Sequence, residues 1–413
     1  MRADPEAPVT APDLRLPVPG EHVLRTYTRF REAGPMVPVE LPGGVNAWAA
    51  TTYAAIREVL SGDSKVFGKN SSHWADLQDG KVPPDWPILQ LILGEHMLMR
   101  DGAEHRRLRG LLSKAFTRAR VEALRPRIEE IVDGLLDRVA AEGAGGEAVV
   151  DLVPLFSDQV PTAVICEMFG VDGPRRSELR EWTQKLFSQV TTPEEAQVAG
   201  GQLFAYLGEL VEEKRREPGD DLTSALVRAQ QDEDRLSPQE LVDSLFLLLI
   251  AGHETTVNLL GHAIVNLLAH PDQLARAKAG DLWDAVAEET LRFNAPIAAA
   301  LFRYPLAPVE VAGVQIPQGD PIMVCLGGAA TDPEQYGPTA GAFDISREQI
   351  GHLAFGYGAH TCLGAPLARL EAYIALSRLF ARFPGIEAAV PLDDIAYSPS
   401  FLSYGPLSIP VRV

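Results

Sequence analysis

Apolar residues recur at helical spacing through the middle of the chain. The spacing is sustained over 103–291 and is interrupted by short glycine- and acid-rich breaks, EGAGGE at 142–147 and EPGDD at 217–221. Runs rich in β-branched residues, typical of strands, occupy 37–50 and recur towards the C-terminus in VEVAGVQIPQGDPIMVCL and LSIPVRV. The pattern predicts a mainly α protein with small β-sheets at its two ends.

One predicted helix is delimited at both ends. The segment SPQE that starts at Ser237 has the form of a capping box, with Ser237 as N-cap, proline at the first helical position and Glu240 three residues beyond the cap. The helix is expected to run to His270, because Pro271 stops it. Its length is roughly 48 Å at about 1.5 Å per residue, which is enough to cross a whole domain.

Composition allows a large buried core and argues against a nucleic-acid partner. The 413 residues are 46% hydrophobic and 23% charged, and the formal net charge is -19. Nucleic acids and anionic membranes repel such a chain at long range. The Pro-rich segment 1–20 has no signal-peptide pattern, and no run reaches the roughly 18 apolar residues of a membrane span. We therefore expect a cytoplasmic protein without a membrane anchor.

The chain is expected to form one domain. Its length alone would allow two or three, but no internal repeat, low-complexity block or linker divides it. The prediction is a single domain over 1–413 that is a monomer.

The three cysteines are too few and too far apart for a disulfide framework. Cys166 in ICEMF and Cys325 in MVCLG have the apolar neighbours of buried, inert thiols. Cys362 lies in FGYGAHTCLG, directly before an apolar-periodic helix, and that interpretation fits it poorly.

A thiolate at the position of Cys362 would be stabilised by the helix that follows. Unpaired N–H groups and the positive end of the helix dipole favour an ionised sulfur, and Leu363 and Gly364 are placed to donate. The glycines in the loop permit close approach of the backbone to something large and flat. A zinc site would need partners at short spacing, and only His360 is near.

The segment AGHETT interrupts the apolar face of the long helix. Gly252 costs about 1 kcal/mol relative to alanine in a helix interior, and Thr255 lies three residues further, on the same face. One interpretation is a notch for close helix packing, with Thr255 bonding back to a carbonyl. The other is a small-molecule groove with a proton relay that uses Glu254. HExxH zinc binding fails because position 257 is valine.

Several motifs together resemble one family. FGYGAHTCLG is similar to the cysteine-ligand loop of the haem-thiolate monooxygenases, the cytochrome P450 family, and AGHETT to its oxygen-activation segment. ETLR at 289–292 resembles the ExxR helix, FDISR at 343–347 the loop whose arginine completes that ion cluster, and PGDDL at 218–222 has its counterpart. The resemblance covers most of the chain. It implies a helix-rich cytochrome P450 fold, with haem buried between the long central helix and the helix after the cysteine loop.

The resemblance also implies the cofactor and its contacts. Haem b would be held by Cys362 as the proximal thiolate ligand, and Phe355 would shield the sulfur edge. His105 and Arg109 lie one helical turn apart, as two donors to the haem propionates should. The implied cofactor-binding residues are His105, Arg109, Arg303, Phe355, His360, Cys362, Leu363 and Gly364, and the structural ion cluster is Glu289, Arg292 and Arg347.

The implied reaction is insertion of one oxygen atom from O2 into a hydrophobic small molecule. Gly252 would make room for dioxygen, Thr255 would hydrogen-bond the oxygen being reduced, and Glu254 would deliver protons through water. The lining expected around the substrate is apolar and roomy, which suits a steroid, terpenoid, polyketide or aromatic natural product. It comprises the loop 74–97, Leu247, Ile250, Ala251, Ile297, Ala298, Ala299, Ala300, Leu301, Phe401 and Leu402.

Electrons must come from a partner, because the chain has no flavin or iron–sulfur motif. In the soluble bacterial members that it resembles, ferredoxin and ferredoxin reductase supply them. Arg106, Arg107 and Lys114 form a predicted basic patch on which a small acidic carrier could dock; the alternative is an ordinary solvated helix face.

Two alternatives to hydroxylation stay open. The same machinery could perform oxidative C–C or C–O coupling on an aromatic or peptide substrate, and a non-catalytic haem sensor or binding protein would share the cysteine loop. A peroxide-driven variant would not need Glu254 and Thr255. Two stretches depart from the family's usual sequence, DGAEH at 101–105 and TDP at 331–333, and we expect them to affect local stability more than chemistry.

Overall fold

The computed structural model describes residues 23–62, 64–84, 86, 88–114, 116–144, 148–171, 173–187, 192–231, 236–348 and 351–413. The segment 1–20 and residues 145–147 of the predicted EGAGGE break lie outside the described residues.

Helices form most of the regular structure, as the periodicity predicts. The helices of the described residues are α1 (Val23–Ala33), α2 (Tyr53–Ser61), α3 (Ala75–Gln78), α4 (Leu89–Leu93), α5 (Gly102–Ser113), α6 (Arg118–Ala123), α7 (Arg125–Glu142), α8 (Gln159–Phe169), α9 (Gly173–Phe187), α10 (Pro193–Arg216), α11 (Leu222–Gln231), α12 (Pro238–Ala269), α13 (Pro271–Gly280), α14 (Trp283–Phe293), α15 (Leu326–Ala330), α16 (Pro333–Tyr336) and α17 (Ala365–Arg382).

The strands are short. They are β1 (Met36–Leu41), β2 (Val45–Ala50), β3 (Phe67–Gly68), β4 (Val150–Asp151), β5 (Ala300–Pro305), β6 (Val309–Val311), β7 (Val314–Ile316), β8 (Ile322–Val324), β9 (Glu387–Ala388) and β10 (Pro410–Arg412).

The expectation of separate sheets at the two ends is wrong. One five-stranded sheet has the order β1-β2-β8-β5-β3, and β2 pairs with β8 in parallel, with Ala49 opposite Met323. A second sheet, β4-β10-β9, joins the chain end to a strand from its middle. Sequence periodicity marks a strand but carries no information about a partner some 270 residues away.

The long central helix forms as predicted. The Ser237 side chain accepts from the Glu240 N–H, the Glu240 carboxylate accepts from the Ser237 N–H, and α12 ends at Ala269 with His270 as C-cap. Both ends were predictable because each depends on contacts within about four residues.

The main core surrounds α12. Its residues Leu260, Ala263, Ile264 and Leu267 have no exposed surface, and α8, α14 and α17 pack against the helix. Of the described helices, α12 is the one long and apolar enough to cross a membrane, and 56% of its most apolar window is buried inside the protein, as in a core helix. The helix therefore places AGHETT at the centre of the molecule.

Candidate active site

The cysteine loop is closed by backbone hydrogen bonds. The Cys362 N–H donates to the Phe355 carbonyl at 2.8 Å. Gly358 has φ of +75°, and a Cβ there would lie 2.5 Å from the Leu60 carbonyl oxygen, so only glycine fits. The loop fixes Cys362 three residues before the first residue of α17, with Pro366 in the first turn of that helix, where its missing N–H does no harm.

The Cys362 side chain is accessible to solvent, although protein atoms crowd around it closely enough to desolvate the thiol. A side chain on the floor of a cavity has both properties. Burial raises the pKa of the thiol, and the N–H groups of Gly364 and Ala365 donate to the sulfur and oppose that shift. Donation by Gly364 was predicted, but the second donor is Ala365 and not Leu363, because the first N–H groups of α17 point towards the sulfur.

The other two cysteines are buried free thiols, as predicted. Burial raises the pKa of Cys166 to about 11 and that of Cys325 further. Cys362 is therefore the cysteine available for chemistry.

The predicted propionate-binding residues come together from three parts of the chain. The rings of His105 on α5 and His360 in the cysteine loop lie 4.0 Å apart between centroids, and Arg109 donates to the Thr361 carbonyl at 2.6 Å. Arg303 on β5 is 8% exposed, and burial lowers its pKa to about 10. Burial, followed by the charge of Arg303, lowers the pKa of His360 to about 2.

Sequence reasoning missed a further cation in this cluster. The Lys69 ammonium is buried and donates to the carbonyls of Leu301 and Phe302. Burial and Arg303 lower the pKa of Lys69, and Asp101 raises it. In the sequence, Lys69 follows a two-residue strand in a polar loop and looks like a surface residue, so no local signal marks it.

The cationic cluster of Lys69, Arg109 and Arg303 has more positive charge than the protein neutralises. Asp101 is the carboxylate that acts on Lys69 and Arg303, and its Oδ2 accepts from the backbone N–H of Lys69 at 2.6 Å. Three cations and one carboxylate leave two positive charges when Lys69 is protonated and the histidines are neutral. Within the described residues, the buried Nε2 of His105 also has no hydrogen-bond partner. The cluster therefore suits a ligand that carries two carboxylates.

Thr255 lies at an accessible point in the middle of α12. Its hydroxyl donates to the Ala251 carbonyl at 2.6 Å, which is the back-bonding that the packing interpretation predicts. Ala251 is exposed although it lies at the centre of a core helix. Residues 251 and 255 therefore share a helix face that opens onto accessible space.

Glu254 is held from a different part of the chain. The Ser403 hydroxyl donates to Glu254 Oε1. Burial raises the pKa of Glu254, while the Ser403 hydrogen bond and the charge of His253 oppose the rise. Glu254 is therefore a partly buried acid with an anchored carboxyl group.

Gly252 faces away from this accessible space. A Cβ on Gly252 would lie 3.1 Å from Cδ1 of Ile165 on α8, so the glycine permits close packing of α8 against α12. The expectation that its missing side chain makes room for dioxygen is not supported, because position 252 is rotated about 100° from Ala251 on the helix. Close packing of α8 against α12 therefore accounts for Gly252. The small-molecule groove is formed instead by the helix face of Ala251 and Thr255.

The predicted ion cluster is present and buried. Arg292 binds Glu289 through two contacts of 2.7 Å, and both side chains are at most 5% exposed. Arg347 Nε lies 3.5 Å from Glu289 Oε1. Arg292 also donates to the carbonyls of Ala330, Ala340 and Ala342, so the pair ties α14 to the loop before the cysteine.

The predicted pocket lining is partly wrong. Ala298 and Ala299 are at most 1% exposed and belong to the same core cluster as the fully buried Trp74, so these side chains line no accessible space. Leu247, Leu301 and Phe401 are nearly buried. Partly or fully exposed lining candidates are Ile250, Ala251, Ile297, Ala300 and Leu402.

An aromatic pair that sequence reasoning missed extends this apolar surface. Phe204 on α10 stacks on Phe246 of α12, with ring centroids 4.3 Å apart. Phe246 lies one helical turn before Ile250, so the two side chains share a face of α12. The helical spacing of Phe246, Ile250 and Ala251 in the sequence could have indicated that they share one face of α12.

The predicted basic patch is smaller in the structure, because Arg107 is occupied by an ion pair. Arg107 pairs with Glu240, the residue that also completes the cap of α12. Arg106 and Lys114 are exposed. The sequence could not show the pairing because Arg107 and Glu240 are 133 residues apart.

A buried carboxyl group lies on the helix that follows Cys362. Glu371 of α17 is 2% exposed, and its Oε2 has no hydrogen-bond partner in the described part of the chain. Burial raises the pKa of Glu371 to about 8. The group is therefore mostly protonated in the folded protein at neutral pH, although it is ionised in the unfolded chain.

Glu371→Gln is expected to stabilise the protein increasingly as pH rises. The unfolded carboxyl ionises near pH 4.5 and the folded one near 8, so the wild type loses about 1.4 kcal/mol per pH unit between these values. Glutamine does not ionise. Thermal unfolding should show little difference at pH 5 and a Tm several degrees higher for the variant at pH 8.

Glu288 gives a control of opposite sign. Burial raises the pKa of Glu288, but hydrogen bonds from His352 and Arg369 outweigh it and hold the pKa at about 2. Glu288→Gln should therefore destabilise above about pH 4.5, with the loss disappearing as pH falls towards 2. A pH-independent effect of Glu371→Gln would contradict the prediction.

Comparison with known proteins identifies the family. A sequence profile described as Cytochrome P450 matches residues 29–279 and 281–391. The chain belongs to the cytochrome P450 family and is an oxidoreductase of its monooxygenase class.

Two relatives and a solved structure match nearly the whole chain. Cytochrome P450 107B1 of Saccharopolyspora erythraea is 43% identical over 390 residues, 94% of each chain. The 2-hydroxy-5-methyl-1-naphthoate 7-hydroxylase of Streptomyces carzinostaticus is 39% identical over 401 residues, 97% of each chain. The structure of testosterone-bound CYP154C4 from Streptomyces sp. ATCC 11861 is 41% identical, with a TM-score of 0.90 over 95% of this chain and 96% of that one.

The residues of this chain fit the family's haem. A haem presents two propionate carboxylates, which match the two excess positive charges around Lys69, Arg109 and Arg303 and the unpaired Nε2 of His105. The Cys362 thiol, accessible and already within reach of two N–H donors, suits thiolate ligation. The chain therefore has residues suited to both the propionates and the iron of a haem.

Proposed function

We propose that this protein hydroxylates a hydrophobic small molecule with O2, using haem b ligated by Cys362. The observation that carries the proposal is the accessible Cys362 sulfur at the N-terminus of α17, a helix that packs against α12, which carries Glu254 and Thr255. A thiolate-ligated haem supplies O2 binding and O–O cleavage when bound.

The chain's own residues hold the cofactor from two sides. Lys69, Arg109 and Arg303 neutralise the propionates, with His105 and His360 as further donors. Gly364 and Ala365 donate to the sulfur, which tempers its negative charge. Leu363, next to Cys362 in the chain, packs against the apolar cluster that contains Leu249 of α12.

Glu254 and Thr255 supply protons to the oxygen being reduced. Burial keeps Glu254 protonated over a wider pH range than an exposed carboxyl group. The Thr255 hydroxyl, which bonds to the Ala251 carbonyl, can pass a proton from Glu254 through water. This pair supports an oxygen-dependent monooxygenase over a haem sensor or a peroxide-driven enzyme.

A roomy apolar substrate is supported by the accessible face of α12. Phe246, Ile250 and Ala251 share one face of α12, and Phe204 stacks on Phe246. Ile297 and Leu402 are partly exposed apolar side chains next to Ser403, which binds Glu254 of α12. One relative acts on an aromatic naphthoate and another binds a steroid. We propose a steroid or an aromatic natural product as the substrate class.

Ferredoxin and ferredoxin reductase are proposed as the electron donors, as is general in the bacterial members of the family, and the cytoplasm as the location. Arg106 and Lys114 on and beside α5 stay available for an acidic carrier, whereas Arg107 is engaged by Glu240. The docking surface is therefore smaller than the sequence indicates.

Thr255→Ala is expected to uncouple NADPH consumption from product formation. Purified protein with ferredoxin, reductase, NADPH and a panel of steroids and aromatic acids should give hydroxylated product, and the variant should reduce product per NADPH by about 10²-fold with hydrogen peroxide released instead. Thr256→Ala, a change at the buried neighbouring threonine, is the matched control. No product from the wild type with any compound would contradict the proposed substrate class, and unchanged coupling in Thr255→Ala would contradict the role of Thr255.

A further inference from the structure

Ser403 is a buried hydroxyl that contacts the proton-delivery acid. It is 6% exposed, and its Oγ donates to Glu254 Oε1. Its position in the sequence, FLSYGP, gives no sign of this contact, because 149 residues separate the two side chains. A serine donating to a carboxyl group fixes the rotamer of that group and favours its ionised form.

The backbone of Ser403 is fixed by its own loop. Ser400 Oγ accepts from the N–H groups of both Leu402 and Ser403 at 3.2 Å, and Ser398 Oγ donates to the Ser403 carbonyl at 3.1 Å. The hydroxyl of Ser403 can therefore leave Glu254 only by a rotamer change or by movement of the whole loop.

The same loop borders the proposed substrate site. The Leu402 carbonyl accepts from Ala298 N–H at 2.8 Å, and Ser403 forms an isolated antiparallel bridge with Ile297. Leu402 and Ile297 are partly exposed, on the side expected to face substrate. A substrate that contacts Leu402 and Ile297 would therefore contact the loop whose Ser403 binds Glu254.

We propose that Ser403 is a positioning residue for Glu254, which sets the orientation of the acid and links it to the substrate-facing loop 400–403. The inference deepens the proposed function and rests on Glu254 serving that reaction. Ser403 affects the reaction through Glu254 and does not itself contact the reacting atoms.

Few other charges act on Glu254. His253, on the same helix, is the titratable side chain that influences the pKa of Glu254, and His253 contacts Asp158 at the start of α8 at 3.1 Å. Glu371 on α17, which packs against α12, responds to burial alone and not to Glu254. Removal of the Ser403 hydroxyl should therefore change the titration of Glu254 without a compensating charge.

The test is infrared difference spectroscopy of the haem-loaded protein over a pH series. The Glu254 carboxyl is identified as the C=O band that Glu254→Gln removes. In Ser403→Ala this band should move to higher frequency and persist to higher pH, because the lost hydrogen bond favoured the carboxylate. Ser403→Thr keeps the hydroxyl and should restore the wild-type band. Ser400→Ala, which frees the loop, should move the band in the same direction as Ser403→Ala.

Ser244→Ala is the matched control, since Ser244 is also a buried serine, on α12, whose Oγ bonds to no group in the described residues; its band should equal that of the wild type. An unchanged band and titration in Ser403→Ala, or in Ser400→Ala, overturns the inference. The infrared band of Glu254 is measured without any substrate turnover. Absence of product from the wild type, with the band shifts intact, would count against the proposed function alone.

Discussion

Replacing Cys362 with serine is expected to remove the thiolate character of the haem spectrum and to reduce product to background. Cys362 is the accessible thiol of the chain, and two helix N–H groups donate to its sulfur. Serine keeps the shape, but its hydroxyl does not ionise near neutral pH and donates less electron density than a thiolate. The carbon-monoxide difference spectrum of the reduced protein and product analysis by mass spectrometry measure both effects.

The two buried cysteines provide the controls. Cys166→Ala and Cys325→Ala each remove a thiol whose pKa burial raises, so both should keep the thiolate spectrum and lose only packing stability. A thiolate spectrum in Cys362→Ser would mean that another sulfur ligates the haem and would contradict the assignment.

Glu289→Gln is expected to remove most haem-loaded, folded protein. Arg292 makes both of its carboxylate contacts to Glu289 at 2.7 Å, and neither side chain is more than 5% exposed. Breaking a buried pair strands a guanidinium and costs about 3–5 kcal/mol, a large share of a typical folding free energy of about 5–15 kcal/mol. Because Arg292 also holds three carbonyls of the loop 330–342, the segment leading to the cysteine loop should loosen.

The pair Glu122 and Arg125 gives a matched control with the same three-residue spacing, on the surface. Glu122→Gln should leave haem content unchanged and Tm nearly unchanged, as expected for an exposed helix pair. Haem per polypeptide and Tm are the measurements for both variants. Normal haem content in Glu289→Gln would show that the ion cluster is not required for cofactor binding.

Local features were predictable to within about one residue. The cap at Ser237, the end of α12 before Pro271 and the start of α17 near Pro366 all depend on backbone groups and side chains within one or two turns. The candidate site residues were selected for a different reason: the cysteine loop and AGHETT resemble a family pattern. Chemistry and spacing alone left the roles of Gly252 and Thr255 open.

Residues that act through distant partners were not predictable. Lys69 meets the Leu301 carbonyl across 232 positions, and Ser403 meets Glu254 across 149. Gly252 was assigned to the oxygen site because it stands in the right motif, yet its free face meets Ile165 of α8. A motif places a residue on a helix, and only the neighbours of that helix decide which face is open.

By itself the sequence determined the helix-rich architecture, the long central helix, the single reactive cysteine and the family. The tertiary structure alone decided that strands from both ends share a sheet, that Lys69 completes a cluster with two excess positive charges, that Arg107 is occupied by Glu240, and that Ala298 and Ala299 lie in the core. The physical reason is range. Capping, periodicity and propensity act over a few residues, whereas burial and charge balance depend on which distant segments meet.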